Sequence, residues 1–185
     1  MSKLILASAS PRRRELMTLA GFDFEVITAD INEVLDTSLA PEQLVMSLAF
    51  QKAAAVAQAV SGKTVIGADT VVVLDGKVLG KPRSESEATE MLRSLSGRTH
   101  DVYTGVCLID REKTHTFYER TAVSFYPLED ELIAEYVASG EIMDKAGAYG
   151  IQGKGCVLVR GIEGDYFNVV GFPVARFCRE LKAFS

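Results

Sequence analysis

The segment Thr64–Leu74 limits the fold most tightly, because it is a long β-rich run that ends in a strong turn signal. Asp75-Gly76 follows at once, and this dipeptide favours a two-residue hairpin, so Lys77–Gly80 is predicted to return as the partner strand. Counting outward from the turn pairs Thr70 with Lys81. An antiparallel hairpin is therefore expected here, with Lys81 beside the polar residues of its first strand.

The segments on either side of this hairpin alternate between strand and helix patterns. Leu4–Ala7 is predicted to be a short buried strand, and Ser10-Pro11 supplies an N-cap and a first helical proline for a helix to about Ala20. Further strands are predicted at 24–28, 102–109, 116–125, 157–159 and 166–170, and further helices at 41–60, 84–95, 129–139 and from 173 onward. Hairpins beside strand–helix units indicate an α/β or α+β fold with a mixed sheet.

Composition limits the class of protein. A chain of 185 residues with 48% hydrophobic content has enough material for one packed core, so one compact domain is expected, with division into two lobes as an option. The net charge of −5 argues against a dedicated nucleic-acid binder, because such proteins neutralise phosphates with lysine and arginine. No apolar run approaches the roughly 20 residues that span a bilayer. A cytoplasmic protein with no nucleic-acid or membrane partner is predicted.

Three cysteines, Cys107, Cys156 and Cys178, are widely spaced, and only two histidines accompany them. This pattern favours reduced thiols in the cytosol and matches no zinc-site spacing. No cysteine lies near a histidine in sequence or at a predicted helix start, which are settings that activate a thiol. We therefore expect the cysteines to be core residues rather than nucleophiles.

Three arginines, Arg12, Arg13 and Arg14, occupy the first turn of the predicted N-terminal helix, where the positive end of the helix dipole disfavours cations. An anion at the same helix end would reverse this cost. Free backbone N–H groups, the guanidinium groups and the hydroxyls of Ser8 and Ser10 would all bind its oxygens. The sequence therefore predicts a phosphate site here, and a solvated basic turn is the alternative.

Two further charged residues contradict their surroundings. Asp69 interrupts an apolar run, and a carboxylate there costs desolvation energy unless a cation or hydrogen-bond donors compensate. A magnesium-type ion is one such partner, and nearby backbone N–H groups or a plain ion pair with Lys81 are the alternatives. Lys52 falls on the apolar face of the helix predicted at 41–60, so it either reaches toward a phosphate or extends along the surface.

The stretch Gly147–Gly155 is dense in glycine and follows Lys145 closely. Repeated glycines permit the backbone to approach a ligand and to adopt unusual dihedral angles. Ordinary turns are the alternative explanation for this composition.

Four motifs in order resemble the Maf family: Leu-Ala-Ser-Ala-Ser-Pro-Arg-Arg at 6–13, Ile-Gly-Ala-Asp-Thr at 66–70, Gly-Lys-Pro at 80–82 and Asp-Lys-Ala-Gly-Ala-Tyr-Gly-Ile-Gln-Gly at 144–153. The likeness spans nearly the whole chain and implies a single Maf-like domain at 1–185. It also implies an α/β fold similar to that of inosine-triphosphate pyrophosphatases. That fold is an elongated mixed β-sheet flanked by helices, with two lobes around a central cleft.

The resemblance implies an enzyme that hydrolyses nucleoside triphosphates to the monophosphate and pyrophosphate. Ala68-Asp69-Thr70 and Ala148–Gln152 look like the branch that acts on dTTP and UTP rather than the branch that acts on 7-methyl-GTP. By the same resemblance Asp69 would be the proton acceptor, and Arg12, Thr70 and Gln152 would bear on substrate choice. The remaining polar site would comprise Ser8, Arg13, Glu33, Lys52 and Lys81.

The mechanism expected from this resemblance is metal-assisted. Glu33 and Asp69 would hold a divalent cation, Mg²⁺ or Mn²⁺, that orients and acidifies a water for in-line attack at the α-phosphorus. Family analogy adds a homodimer, removal of modified nucleotides and a link to cell-division arrest. The alternative function is a nucleotide-binding regulator of septum formation without turnover, and phosphatase chemistry, which would release orthophosphate, is a third.

Overall fold

The computed structural model describes residues 4–111 and 113–184. Its strands are β1 (Leu4–Leu6), β2 (Phe24–Val26), β3 (Thr64–Leu74), β4 (Lys77–Leu79), β5 (Thr99–Asp110), β6 (Lys113–Phe125) and β7 (Val159–Glu163). Its α-helices are α1 (Pro11–Leu19), α2 (Pro41–Ala57), α3 (Glu85–Leu95), α4 (Asp130–Ala138), α5 (Tyr166–Val170) and α6 (Val174–Phe184). Short 3-10 helices lie at Ala146–Ala148 and Gly153–Val157. Within these described residues, no helix combines the length and the hydropathy needed to cross a bilayer.

The strands form a mixed sheet flanked by helices, as predicted. Their order is β2-β1-β3-β5-β6-β7, and β4 pairs with β3 outside this path. Strand β1 runs parallel to both β2 and β3, whereas β4 is antiparallel to β3 and β7 is antiparallel to β6. Parallel neighbours need crossover connections, and α1 and α2 provide them.

Contacts within the chain define two compact units that are interleaved in sequence. The first unit comprises the chain up to Thr70, Thr104–Glu119 and the chain from Gly171. The second unit comprises Val71–Tyr103 and Arg120–Val170. Strands β3, β5 and β6 contribute residues to both units, so neither unit is one continuous stretch of chain. The single domain over 1–185 stays a prediction.

Helix α2 packs its apolar face into the core of the first unit. Pro41 occupies its first turn, where a missing N–H group is not needed for helical bonding. The helix ends at Ala57 rather than near 60, because the N–H groups of Ala59 and Val60 bond to carbonyls three positions back in a tighter turn. The buried residues agree with the predicted apolar face and are Leu44, Val45, Leu48, Ala49, Ala53 and Val56.

Two glycines let the backbone of α2 lie directly on the sheet. A Cβ atom on Gly67 of β3 would lie 2.1 Å from the carbonyl oxygen of Ala49, and one on Gly105 of β5 would lie 2.3 Å from that of Val45. Both distances are far below van der Waals contact, so only glycine fits at either position. The sheet face that carries Gly67 therefore faces α2, and Asp69 shares that face because side chains alternate along a strand.

The predicted hairpin turn forms in the second unit. Asp75 and Gly76 have φ angles of 51° and 76°, which is the left-handed conformation that this type of two-residue turn requires. The three residue pairs nearest the turn form as predicted, and the last of them is Val72 opposite Leu79.

The predicted register does not extend to Lys81, and that part of the prediction is wrong. Strand β4 ends at Leu79. The next carbonyl, that of Gly80, accepts a hydrogen bond from the Gly147 N–H at 3.0 Å. The glycine-rich segment therefore becomes the partner of the chain at this point, and Lys81 is exposed beyond the ladder.

Tyr166–Val170 is helix α5 and not the predicted strand. Asp165 caps the N-terminus of this helix. Its carboxylate accepts a hydrogen bond from the Phe167 N–H at 2.8 Å, and its carbonyl accepts one from the Val169 N–H at 3.4 Å. The β-branched and aromatic pattern favours a strand, but this N-terminal cap decides the local structure. The strand predicted at 157–159 is also displaced, since β7 begins at its last residue.

The cysteines do not all lie in the core. Cys107 is buried as predicted, and burial raises the pKa of its thiol to about 12. Cys156 and Cys178 are exposed, so the prediction is wrong for both. Cys178 follows the buried Phe177 on α6, and the next position on an amphipathic helix points away from the core.

His100 is a buried titratable residue of the second unit. Its Nε2 lies 2.7 Å from the Tyr149 hydroxyl, and its Nδ1 is buried without a hydrogen-bond partner among the described residues. Phe125 and Tyr149 pack edge-to-face against the imidazole ring. Burial lowers the pKa of His100 to about 4, so the side chain is neutral at physiological pH.

We predict that Gly67→Ala lowers the free energy of unfolding by about 3 kcal/mol or more, because the added methyl group meets helix backbone that cannot move aside cheaply. Gly161→Ala in β7 is the control, since a Cβ atom there meets nothing within 4 Å. Its effect is expected to stay within about 0.5 kcal/mol. Urea denaturation of both variants provides the measurement, and equal losses would contradict the close approach of α2.

We also predict that the chain loses stability as pH falls below about 6.5. The pKa of His100 is about 4 in the folded chain and near 6.5 when exposed, so the unfolded chain takes up a proton that the folded chain does not. Between pH 7 and pH 5.5 this difference lowers the free energy of unfolding by about 1 kcal/mol. Urea denaturation at both pH values measures it. In His100→Gln this component is expected to vanish, and an unchanged pH dependence in that variant would contradict the assignment.

Candidate functional site

Strand β3 and helix α2 together place Asp69 beside Lys52. Asp69 lies on the sheet face that α2 covers, and its side chain is 17% exposed. The Lys52 ammonium group forms an ion pair and hydrogen bond with the Asp69 carboxylate. This ion pair offsets the desolvation energy of a carboxylate in an apolar strand, which is the cost that the sequence pattern predicts for Asp69.

Glu33 joins the same ammonium group from the segment between β2 and α2. Its carboxylate lies 3.3 Å from the Lys52 Nζ. The Lys52 side chain is only 20% exposed, so the interpretation as a lysine that extends along the surface is wrong. Two carboxylates and one ammonium carry a net charge of −1, and the charge of Arg13, which interacts with both Glu33 and Asp69, offsets it.

Arg13 braces the strand neighbours of Asp69. Its Nε donates to the Gly171 carbonyl at 2.9 Å, its Nη1 to the Ala68 carbonyl at 2.8 Å and the Ser8 hydroxyl at 3.2 Å, and its Nη2 to the Thr70 hydroxyl at 3.1 Å. The residue is 8% exposed, and burial lowers its pKa although the charge of Asp69 opposes that effect. Most of its donors bind the chain itself.

The hydroxyl of Thr70 lies inside this network. It is 2.9 Å from the Thr104 hydroxyl of β5 as well as being bound by Arg13. Gly171, whose carbonyl receives the Arg13 Nε, has a φ angle of 125°, and a side chain there would be strained. Thr104 and Gly171 are therefore structural members of the site that sequence reasoning missed, because their partners lie far away along the chain.

The start of α1 differs in detail from the sequence prediction. Ser10 occupies the N-cap position, but its side chain makes no capping hydrogen bond. The Ser8 hydroxyl instead accepts a hydrogen bond from the Ser10 N–H at 3.3 Å and another from Arg13. Arg12 is half-buried in the first turn and Arg14 is exposed. Of the three arginines, only Arg13 is in the core.

Two predicted site residues belong to the second unit. Lys81 is exposed and precedes the buried Pro82. Gln152 is exposed at the N-cap position of the 3-10 helix Gly153–Val157.

The glycine-rich segment is packed against its own unit. A Cβ atom on Gly147 would lie 3.1 Å from the Val72 side chain, and one on Gly155 would lie 2.0 Å from the Gly150 carbonyl oxygen. Lys145 donates to the Glu141 carbonyl and to the Asp144 carboxylate, each at 2.7 Å. Gly147 and Gly155 are therefore required for internal packing, a reason that neither the ligand-approach prediction nor the ordinary-turn alternative anticipated.

Glu33 and Asp69 are the residues of the first unit that fit a divalent cation. Within the part of the chain that is described, no group of three or more His, Cys, Asp or Glu side chains is arranged to hold a metal. A Mg²⁺ ion, however, is commonly bound by one or two carboxylates and takes its other ligands from phosphates and water. The two carboxylates that share Lys52 match that donor set.

Known sequences match this chain over nearly its whole length. A family model described as Maf-like protein matches residues 3–184. A dTTP/UTP pyrophosphatase of Bacillus mycoides (strain KBAB4) is 57% identical over 185 residues, which is 100% of this chain and 97% of that protein. A dTTP/UTP pyrophosphatase of Bacillus cereus (strain AH820) is 56% identical with the same coverage.

Comparison with solved structures bears on the fold. A HAM1 protein from Coxiella burnetii aligns over 99% of this chain and 100% of that chain, with a TM-score of 0.54 and 14% sequence identity. At this identity the likeness shows the fold alone, and it confirms the predicted α/β architecture.

We predict that Arg13→Lys lowers the free energy of unfolding by about 2–4 kcal/mol, because an ammonium group cannot reach the four acceptors that the guanidinium binds. Arg14→Lys is the matched control on the exposed side of the same turn and is expected to change stability by less than about 0.5 kcal/mol. Urea denaturation measures both. A similar loss in the two variants would show that Arg13 is not the buried brace.

Proposed function

The chain belongs to the Maf-like protein family, and we propose that it is a nucleoside triphosphate pyrophosphatase that hydrolyses dTTP and UTP to the monophosphate and pyrophosphate. The observation that carries the proposal is the cluster of Glu33, Lys52 and Asp69 in the first unit. The relatives named dTTP/UTP pyrophosphatase, which match this chain over its full length, support the substrate assignment.

Asp69 is proposed to be the proton acceptor. In the reaction, a water oxygen forms a bond to the α-phosphorus, the bond from that phosphorus to the bridging oxygen breaks, and pyrophosphate leaves with the electron pair. Asp69 accepts the proton that the attacking water loses. The brace from Arg13 to the residues on either side of Asp69 supports this role, because a general base must be held at a fixed position.

The cations of the first unit are proposed to bind the triphosphate. Arg12 and the positive end of the α1 dipole bind phosphate oxygens, with the Ser8 hydroxyl and Arg13 holding that turn in place. In the free protein, the positive charge of Lys52 stabilises the two carboxylates. During the reaction the same charge also stabilises the negative charge that develops on the leaving pyrophosphate.

A divalent cation, Mg²⁺ or Mn²⁺, is proposed as the cofactor, held by Glu33 and Asp69. When bound, such an ion supplies positive charge against the phosphate oxygens. Lys81 is proposed to contribute another cation toward phosphate, and Arg12, Thr70 and Gln152 are proposed to bear on substrate choice. The exposed amide of Gln152 offers both a donor and an acceptor, which suits the edge of a pyrimidine base.

A regulator of septum formation that binds nucleotide without turnover is the alternative function. The two carboxylates at one ammonium group favour turnover, since the binding of a triphosphate alone is served by cations. Removal of modified nucleotides is a physiological proposal that depends on turnover, whereas a role in cell-division arrest is proposed with either function. The cytoplasmic location and the homodimer stay predictions.

We predict that the wild-type chain with Mg²⁺ releases equal amounts of monophosphate and pyrophosphate from dTTP and UTP, at higher kcat/KM than from purine nucleotides. Asp69→Asn is expected to lower kcat by roughly 10²–10⁴-fold, because the amide cannot accept the proton. A nucleotide panel scored for pyrophosphate provides the measurement, and Asp23→Asn at an exposed position is the matched control.

Three outcomes would contradict the proposal in different ways. Nucleotide that is bound and left intact would indicate the regulator. Orthophosphate together with a nucleoside diphosphate would indicate phosphatase chemistry. Near-wild-type pyrophosphate release by Asp69→Asn would remove Asp69 from the reaction.

A further inference from the structure

Gln51 on α2 binds the backbone of the segment that carries Glu33. Its Oε1 accepts a hydrogen bond from the Val34 N–H at 2.8 Å, and its Nε2 donates to the Val34 carbonyl at 3.1 Å. The same Nε2 lies 3.3 Å from the Ser47 hydroxyl, one turn earlier on the helix. One side chain thus makes both hydrogen bonds that a neighbouring β-strand would make to Val34, and it fixes the peptide groups on either side of that residue.

The middle of the segment gains little from apolar burial. Residues 27–40 contain no helix or strand, and Val34 and Leu35 are 69% and 57% exposed. Burial of apolar side chains therefore contributes little to the position of these two residues. Lys52, the next residue on α2, contacts the Glu33 carboxylate at 3.3 Å. Two consecutive side chains of α2 thus hold two consecutive residues of the segment.

We propose that Gln51 is a positioning residue for hydrolysis, which acts by holding Glu33 at Lys52 and Asp69. This inference rests on the proposed function, in which Glu33 takes part. Fixing the Val34 peptide groups removes backbone freedom that Glu33 would otherwise have, since its own side chain is 39% exposed. A misplacement of about 1 Å at an active site can cost about 100-fold in rate, so we expect loss of these bonds to lower kcat.

The first test is the variant Gln51→Met, which removes both bonds to Val34 and keeps the side-chain length and the helix propensity. We expect kcat with dTTP to fall roughly 10- to 100-fold and KM to stay within about threefold. Gln43→Met, at an exposed position of the same helix, is the matched control and is expected to keep the wild-type kcat. Equal kcat for the two variants overturns the proposal.

Thermal denaturation checks that each variant is folded at the assay temperature. If Gln51→Met unfolds there, Gln51→Glu takes its place, because a carboxylate accepts from the Val34 N–H but cannot donate to the Val34 carbonyl. Its kcat is expected to fall roughly 10-fold. A wild-type kcat in Gln51→Glu overturns the proposal.

A double-mutant cycle separates positioning from general stabilisation. If Gln51 acts through Glu33, adding Gln51→Met to Glu33→Gln lowers kcat by less than about twofold further. A merely structural role predicts the full loss of Gln51→Met again in the Glu33→Gln background. Independent, multiplicative losses therefore overturn the positioning role even if each single variant is impaired.

Hydrogen exchange tests the contact without turnover. Peptides within 28–40 of Gln51→Met are expected to exchange roughly 10-fold faster than in the wild type, whereas peptides of β3 keep their rates. Unchanged exchange within 28–40 overturns the proposal. A wild-type chain that releases no pyrophosphate from any nucleotide contradicts the proposed function instead, and the exchange rates then still decide whether Gln51 holds this segment.

Discussion

The close approach of α2 to the sheet is the constraint on which the candidate site depends. Gly67 and Gly105 lack the side chains that would keep the helix backbone away from β3 and β5. With the helix at this distance, Lys52 reaches Asp69 on the strand below it. The next side chain back along the helix, that of Gln51, reaches the segment that carries the second carboxylate. The two glycines therefore determine both how closely the helix backbone packs on the sheet and where the charged side chains of the site lie.

Arg13 on α1 also holds strand β3 in place. A buried guanidinium is costly unless its donors are satisfied, and here they bind the carbonyl before Asp69 and the hydroxyl after it. Asp69 is therefore fixed twice, through its strand neighbours by Arg13 and through its carboxylate by Lys52. Charged groups held in this way need little rearrangement when charge develops on a substrate, which is the basis of electrostatic preorganisation.

Local chemistry predicts those parts of the molecule that depend on neighbours in sequence. The Asp75-Gly76 turn and the conflict between Asp69 and its apolar strand are both visible without the fold. Three adjacent arginines look alike in sequence, and only the fold shows that Arg13 is the buried one. The Lys81 register and the helix at Tyr166–Val170 are mispredicted. A distant backbone hydrogen bond ends the ladder before Lys81, and a single cap overrides the strand propensity of Tyr166–Val170.

The hydrogen bond from Arg13 to the Gly171 carbonyl joins residues that are 158 positions apart. During synthesis Arg13 leaves the ribosome early and Gly171 follows much later, so the guanidinium lacks this acceptor for most of that time. The first unit also needs the strand segment Thr104–Glu119 before its core is complete. The hydrogen-bond network of Arg13 is therefore completed late, and a nascent chain that can already form α1 and α2 still lacks the acceptor for the Arg13 Nε.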